Sequence, residues 1–179
     1  MLSKTKLRIT KKDIVIVAIF IVSLFIMDFS SLGQPGLRAF SGGRGMLDMN
    51  FFYSPTYSFV MMNRLGTAGI NFYVRLLCID FLFIVSFLYI QVKLLYWFVS
   101  LLSLRPGWNR LVAFAWVRAF FDIGENILLI LMLRSFPQTI SIANISGIIT
   151  SLKWCTLILN VLLIIIILVS KFMLKGRKI

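Results

Sequence analysis

The sequence predicts an all-α polytopic membrane protein: a bundle of four transmembrane helices with a short extracytoplasmic loop helix. Three observations carry that reading. Of the 179 residues, 60% are hydrophobic and only 14% charged, whereas soluble domains average about 45–50% apolar and 25% charged. Mean hydropathy is +0.96. Finally, four apolar runs each reach the roughly 20 residues that a helix needs to cross a hydrocarbon core of about 30 Å.

The spans are expected at about 14–32, 71–93, 109–133 and 145–169, in one domain covering 1–179. The first is entered from Lys11, Lys12 and Asp13. Its basic flank and the small pair Ser31 and Gly33 also fit a cleavable signal peptide, but the apolar run continues to Leu32, which favours a retained helix. In the second, Gln91 and Lys93 interrupt an apolar run that continues to Leu104. The helix is expected to leave the core there and pass through the interface on Tyr96, Trp97 and Phe98. Arg105-Pro106-Gly107 is a stop signal. The third span ends at Arg134 and Pro137, and the fourth reaches Val169.

The outer loop, 33–70, divides in two. Gly33-Gln34-Pro35-Gly36 and Ser41-Gly42-Gly43-Arg44-Gly45 predict a turn-rich, mobile first part. In the second part, Ser54-Pro55 reads as an N-cap followed by a proline in the first helical turn, and Gly66 as a stop. A short helix from Pro55 to Leu65 follows. It carries Tyr57, Phe59, Val60, Met61, Met62 and Leu65, an apolar surface that suits the membrane face or the bundle mouth.

Formal net charge is +13, but position argues against nucleic acid as a partner. Lys4, Lys6, Arg8, Lys11, Lys12, Lys171, Lys175, Arg177 and Lys178 lie in the two tails beside apolar runs, where basic residues set topology and meet anionic lipid. With Arg105 and Arg110 on the same side, the positive-inside bias expects a multi-pass protein of the plasma membrane with both termini cytoplasmic. The opposite loops hold Arg38, Arg44, Arg64 and Arg134. No histidine is present, which excludes imidazole-ligated metals and histidine-activated nucleophiles. Cys78 and Cys155 lie in separate apolar runs without Cys-x-x-Cys spacing and read as buried apolar thiols. No cofactor or metal is expected.

The polar residues inside the spans are the informative ones. Asp28, Asp80, Asp122 and Glu125 fall in apolar runs, where each charge costs about 2.5–3.5 kcal/mol on insertion scales and must find a partner in the bundle interior. Arg118, Asp122, Glu125 and Asn126 share one helical face, and Ser146, Thr150, Lys153 and Asn160 form a stripe on the next span. Counting from the outer ends, Glu125 lies nine residues below Arg134, Asp80 nine below Asn71 and Lys153 eight below Ile145. A polar cluster in the outer half of the bilayer is therefore expected, with Arg118 paired to Asp122. Tyr53, Tyr57, Tyr73 and Arg75 are candidates for the pocket mouth.

Three functions fit this inventory. The first is binding or moving a lipid head group, small solute or cation in that cluster. The second is an intramembrane enzyme modifying a lipid or isoprenoid, with a carboxylate as base or metal ligand, which chelator sensitivity would favour. The third is a non-catalytic assembly or accessory subunit whose buried ion pairs only fix helix register. Membrane lipids are the expected contacts; a membrane-protein partner or a homodimer is left open.

The chain also resembles a family of small four-helix bacterial membrane proteins without established function. The shared pattern is Tyr53-Ser54-Pro55, Leu65-Gly66 with Gly69 and Tyr73, Asp80, Phe121-Asp122-x-x-Glu125-Asn126 and Lys153-Trp154, covering Phe51 to Leu159. The resemblance implies four helices with a polar interior and no particular activity. The chain departs from the pattern at Ile70-Asn71, where a basic residue is expected, and reaches a base only at Arg75.

Overall fold

The structure is a computed structural model that describes residues 9–101, 110–138 and 140–176, which contain helices and connecting turns and no strand. In order they form α1 (Lys11–Phe29), α2 (Gln34–Ser41), a 3-10 turn (Leu47–Met49), α3 (Pro55–Leu101), α4 (Val112–Ser135) and α5 (Ile140–Gly176). The basic residues Lys4, Lys6, Arg8, Arg177 and Lys178 and the stop at Arg105-Pro106-Gly107 lie outside the described residues.

Among the described residues, three stretches are long and apolar enough to cross a membrane: Lys11–Ser41, Pro55–Ser100 and Ile142–Ile166. The 24-residue α4 has the length, but Arg118, Asp122 and Glu125 stand in its middle. α5, at 37 residues, extends about 55 Å at 1.5 Å per residue, well beyond a core of about 30 Å.

Each boundary has a local cause. Thr10 caps α1 reciprocally: its hydroxyl accepts from the Asp13 N–H at 3.4 Å, and the Asp13 carboxylate accepts from the Thr10 N–H at 2.6 Å. Ser54 caps α3 by accepting from the Tyr57 N–H at 3.2 Å. Gly66 interrupts α3 with φ 59° and ψ −175°, a conformation that disfavours any side chain. The Pro55–Leu65 segment is thereby a separate helical piece, as expected. Met61 and Met62 are fully buried and Leu65 nearly so, so it packs onto the bundle mouth.

Two expectations are corrected. The first part of the outer loop is ordered: α2 occupies Gln34–Ser41, and Leu37, Met46 and Leu47 are buried in the main core beside Tyr73, Leu77 and Met132. Burial of those three apolar side chains outweighs the turn-forming glycines around them. α3 runs on past Gln91 and Lys93, as expected, and reaches Leu101; Gln91 is buried and Lys93 pairs with Asp13. Cys78 and Cys155 are exposed on the outer surface of their helices, as apolar side chains facing lipid can be.

α4 packs against α3 and α5, which also touch each other, while α1 lies along α3 and meets α2 without extended contact to α4 or α5. α1 buries only Asp13, Ser23 and Met27. It is held at mid-length by Phe20, whose ring stacks on Phe83 at 5.2 Å and Phe87 at 5.5 Å. At its start, the Asp13 carboxylate takes the Tyr89 hydroxyl at 2.8 Å and pairs with Lys93.

Candidate functional site

The two predicted polar stripes face each other across α4 and α5. Lys153 is their hub: its Nζ lies 2.5 Å from Glu125 Oε2, 3.5 Å from Asp122 Oδ1 and 3.9 Å from Asp48 Oδ2. Glu125 is fully buried, and its other oxygen accepts the Thr150 hydroxyl. Asp122 also receives Arg118 Nη2 at 3.1 Å, one helical turn away. Arg118 in turn lies 4.3 Å above the centre of the Phe87 ring, a cation–π contact that fixes the guanidinium on α3. Asp80 takes the Asn126 side-chain N–H at 2.7 Å.

Asp48 is the member that sequence reasoning missed. It stands on the 3-10 turn, 3% exposed, and its carbonyl accepts from Lys153 Nζ and Trp154 Nε1, both at 3.2 Å. The Tyr73 hydroxyl holds the turn from α3, accepting the Leu47 N–H at 2.7 Å and donating to Asp48 Oδ1 at 3.0 Å. Burial raises the Asp48 carboxyl above the ordinary carboxylate range, and the Lys153 ammonium draws it partly back. The signal that could have found it is an isolated acid inside the apolar tetrapeptide Met46-Leu47-Asp48-Met49.

The loop after this turn is strapped along α5. The Ser151 hydroxyl donates to the Phe51 carbonyl at 3.0 Å, and the Tyr53 hydroxyl meets the Ser146 hydroxyl at 2.5 Å. Gly147 permits the approach, because a Cβ there would stand 2.4 Å from the Tyr53 carbonyl oxygen. Burial lifts the Tyr53 phenol well above its ordinary value, so it stays neutral.

Of the expected site residues, Arg118, Asp122, Glu125, Asn126 and Lys153 converge with Asp80. Asp28 joins them at the edge of a cavity of about 220 Å³ that is also lined by Asp48, Asp80, Arg118, Asp122 and Lys153. Among the described residues its hydrogen bond is a long contact from the Gln34 side-chain N–H at 3.5 Å. The mouth residues are a correction. Tyr53 and Tyr73 are buried braces of the loop, because each phenol reaches a buried polar partner. Tyr57 is half-buried with its ring 4.9 Å from the Arg44 guanidinium. Arg75 is exposed and stands apart from the cluster.

Chemically the site is short of positive charge. Asp28, Asp48, Asp80, Asp122 and Glu125 gather around two cations, Lys153 and Arg118. Among the described residues, no group of three or more Cys, Asp or Glu could hold a metal ion; Asp48, Asp122 and Glu125 instead share the Lys153 ammonium. Comparisons with protein-family models, curated proteins and solved structures give no match. Function is therefore read from the site's own chemistry.

Proposed function

We propose that the chain is a four-span plasma-membrane protein, both termini cytoplasmic, whose outer-half cavity binds a small positively charged group. The observation that supports this is the imbalance between five carboxylates and two cations: among the described residues Asp28 and Asp80 make no direct ion pair, while Lys153 and Arg118 in the same cavity are paired to Asp48, Asp122 and Glu125. Unpaired carboxylates at membrane depth are costly, and a bound cation offsets that cost. α4 counts as the fourth span because its charged residues turn inward: Arg118, Asp122 and Glu125 are buried, while Trp116, Phe120 and Ile127 face out.

Part of the cluster serves a second purpose. Glu125 is sealed from the cavity's lining by Lys153 and Thr150, so this pair is a register-fixing brace between α4 and α5. Asp28 and Asp80 are the binding carboxylates.

The test is thermal unfolding of the purified chain in bilayer discs, with ethanolammonium or Mg²⁺ added at constant ionic strength. Saturating a site at 100 times Kd stabilises by about 2.7 kcal/mol, so the midpoint should rise with one of them, and Asp80→Asn should abolish the rise. A midpoint unmoved by either cation overturns the proposal.

A further inference from the structure

We infer that this cavity is entered sideways from the bilayer, between α1 and α5, by a phospholipid whose head group joins an amine to a phosphate. The inference rests on the reading of the cavity as a cation site and names the molecule that brings the cation.

The shape of the cavity gives the route. Its floor is buried and charged: Asp48, Asp80, Arg118, Asp122 and Lys153. Its rim is half-buried and apolar: Leu24 from α1, Phe83 and Phe87 from α3, Leu157 from α5. At the loop end the 3-10 turn lies across the cavity, with the Asp48 carbonyl tied to Lys153 and Trp154 and Met49, 49% exposed, adding an apolar side chain to the rim. α1 and α5 both line the cavity yet make no extended contact with each other. An opening between two helices at this depth faces lipid.

The chemistry names the occupant. Asp28 and Asp80 offer two carboxylates that make no direct ion pair among the described residues, which suits an ammonium. Arg118 is 3% exposed, and its Nε has no hydrogen-bond partner among the described residues; a phosphate oxygen satisfies such a donor with a charge-assisted bond. At about 220 Å³ the space is below the roughly 300 Å³ where pockets for drug-sized ligands begin. It takes a head group and leaves the acyl chains in the bilayer against the apolar rim.

The experiment has three arms. Native mass spectrometry of the full chain, offered equal phosphatidylethanolamine and phosphatidylglycerol, should show the former preferred by about tenfold, the factor one charge-assisted contact carries. Asp80→Asn should remove that preference. In vesicles, a chain with Trp97→Phe, Trp108→Phe and Trp116→Phe keeps Trp154 as its fluorophore. Phosphatidylethanolamine brominated on its acyl chain should quench it more than the brominated phosphatidylglycerol does. In the third arm, soluble O-phosphoethanolamine is added to the unfolding assay. Equal binding of the two lipids, or preference without excess quenching of Trp154, overturns lateral lipid entry. If O-phosphoethanolamine raises the midpoint while the lipids bind equally, the cation site stands and this inference falls; if neither acts, both fall. Should the triple variant not fold, the lipid preference and its loss in Asp80→Asn decide.

Discussion

Glu125 on α4 and Lys153 on α5 meet at 2.5 Å where Glu125 has no exposed surface. Removing one partner of such a buried pair leaves a stranded charge, typically costing about 3–5 kcal/mol. Lys153→Met and Glu125→Gln should therefore each lower membrane abundance and broaden the size-exclusion peak. The double variant should recover part of the loss, with a coupling within about 0.5–3 kcal/mol. Recovery stays incomplete because Asp48 and Asp122 also lean on Lys153. Additive losses in the double variant would mean that the two residues are not a pair.

Tyr73 pins the outer turn through its hydroxyl. Tyr73→Phe leaves the buried Leu47 N–H without an acceptor, a loss of about 1–3 kcal/mol. Hydrogen exchange should show faster exchange at Leu47 and its neighbours with α5 unchanged. Unaltered exchange at the turn would show that packing of Met46 and Leu47 alone holds it.

Two glycines should respond differently to the same substitution. Gly66→Ala forces a side chain into φ 59° with ψ −175° and should cost about 1–3 kcal/mol. Gly124→Ala adds a methyl group that meets nothing within 4 Å and should be neutral or stabilising by up to about 1 kcal/mol. Thermal midpoints in detergent compare them directly, and a Gly66→Ala midpoint at or above the parent's would contradict the break at this residue.

Four spans with cytoplasmic termini predict which sites a membrane-impermeant maleimide reaches. In a chain with Cys78→Ser and Cys155→Ser, Asn63→Cys on the exposed side of the loop helix should label in intact cells. Arg110→Cys, exposed ahead of α4, should label only after permeabilisation. The reverse pattern would invert the topology, and labelling of both from outside would remove one span.

Much of this arrangement was legible in the residues, because charges inside apolar helices have few places to go. Arg118, Asp122, Glu125 and Asn126 recur at helical spacing, and the pairing of Asp122 and Glu125 with a lysine one helix away follows from the cost of leaving them alone. The Ser54 cap and the Gly66 break were equally local. Asp48 was hidden for the opposite reason: its partners Tyr73 and Lys153 lie 25 and 105 residues away, and the surrounding glycines spoke for a loose loop. Tyr53 and Tyr73 were misjudged alike, since a tyrosine near a membrane surface and one bracing a buried turn look the same until the chain is folded.

The central claim is that the buried charges divide into a brace and a cation-binding face. Comparing Asp80→Asn with Glu125→Gln for both folding and ethanolammonium or Mg²⁺ binding tests it most directly. Asp80→Asn keeps an acceptor for Asn126 and relieves repulsion among neighbouring carboxylates. It should fold at least as well as the parent while losing the ligand-induced rise in unfolding midpoint, whereas Glu125→Gln should lose abundance. If Asp80→Asn destabilises the chain as much as Glu125→Gln, or keeps the full ligand response, the division is wrong and the cluster is a structural brace throughout.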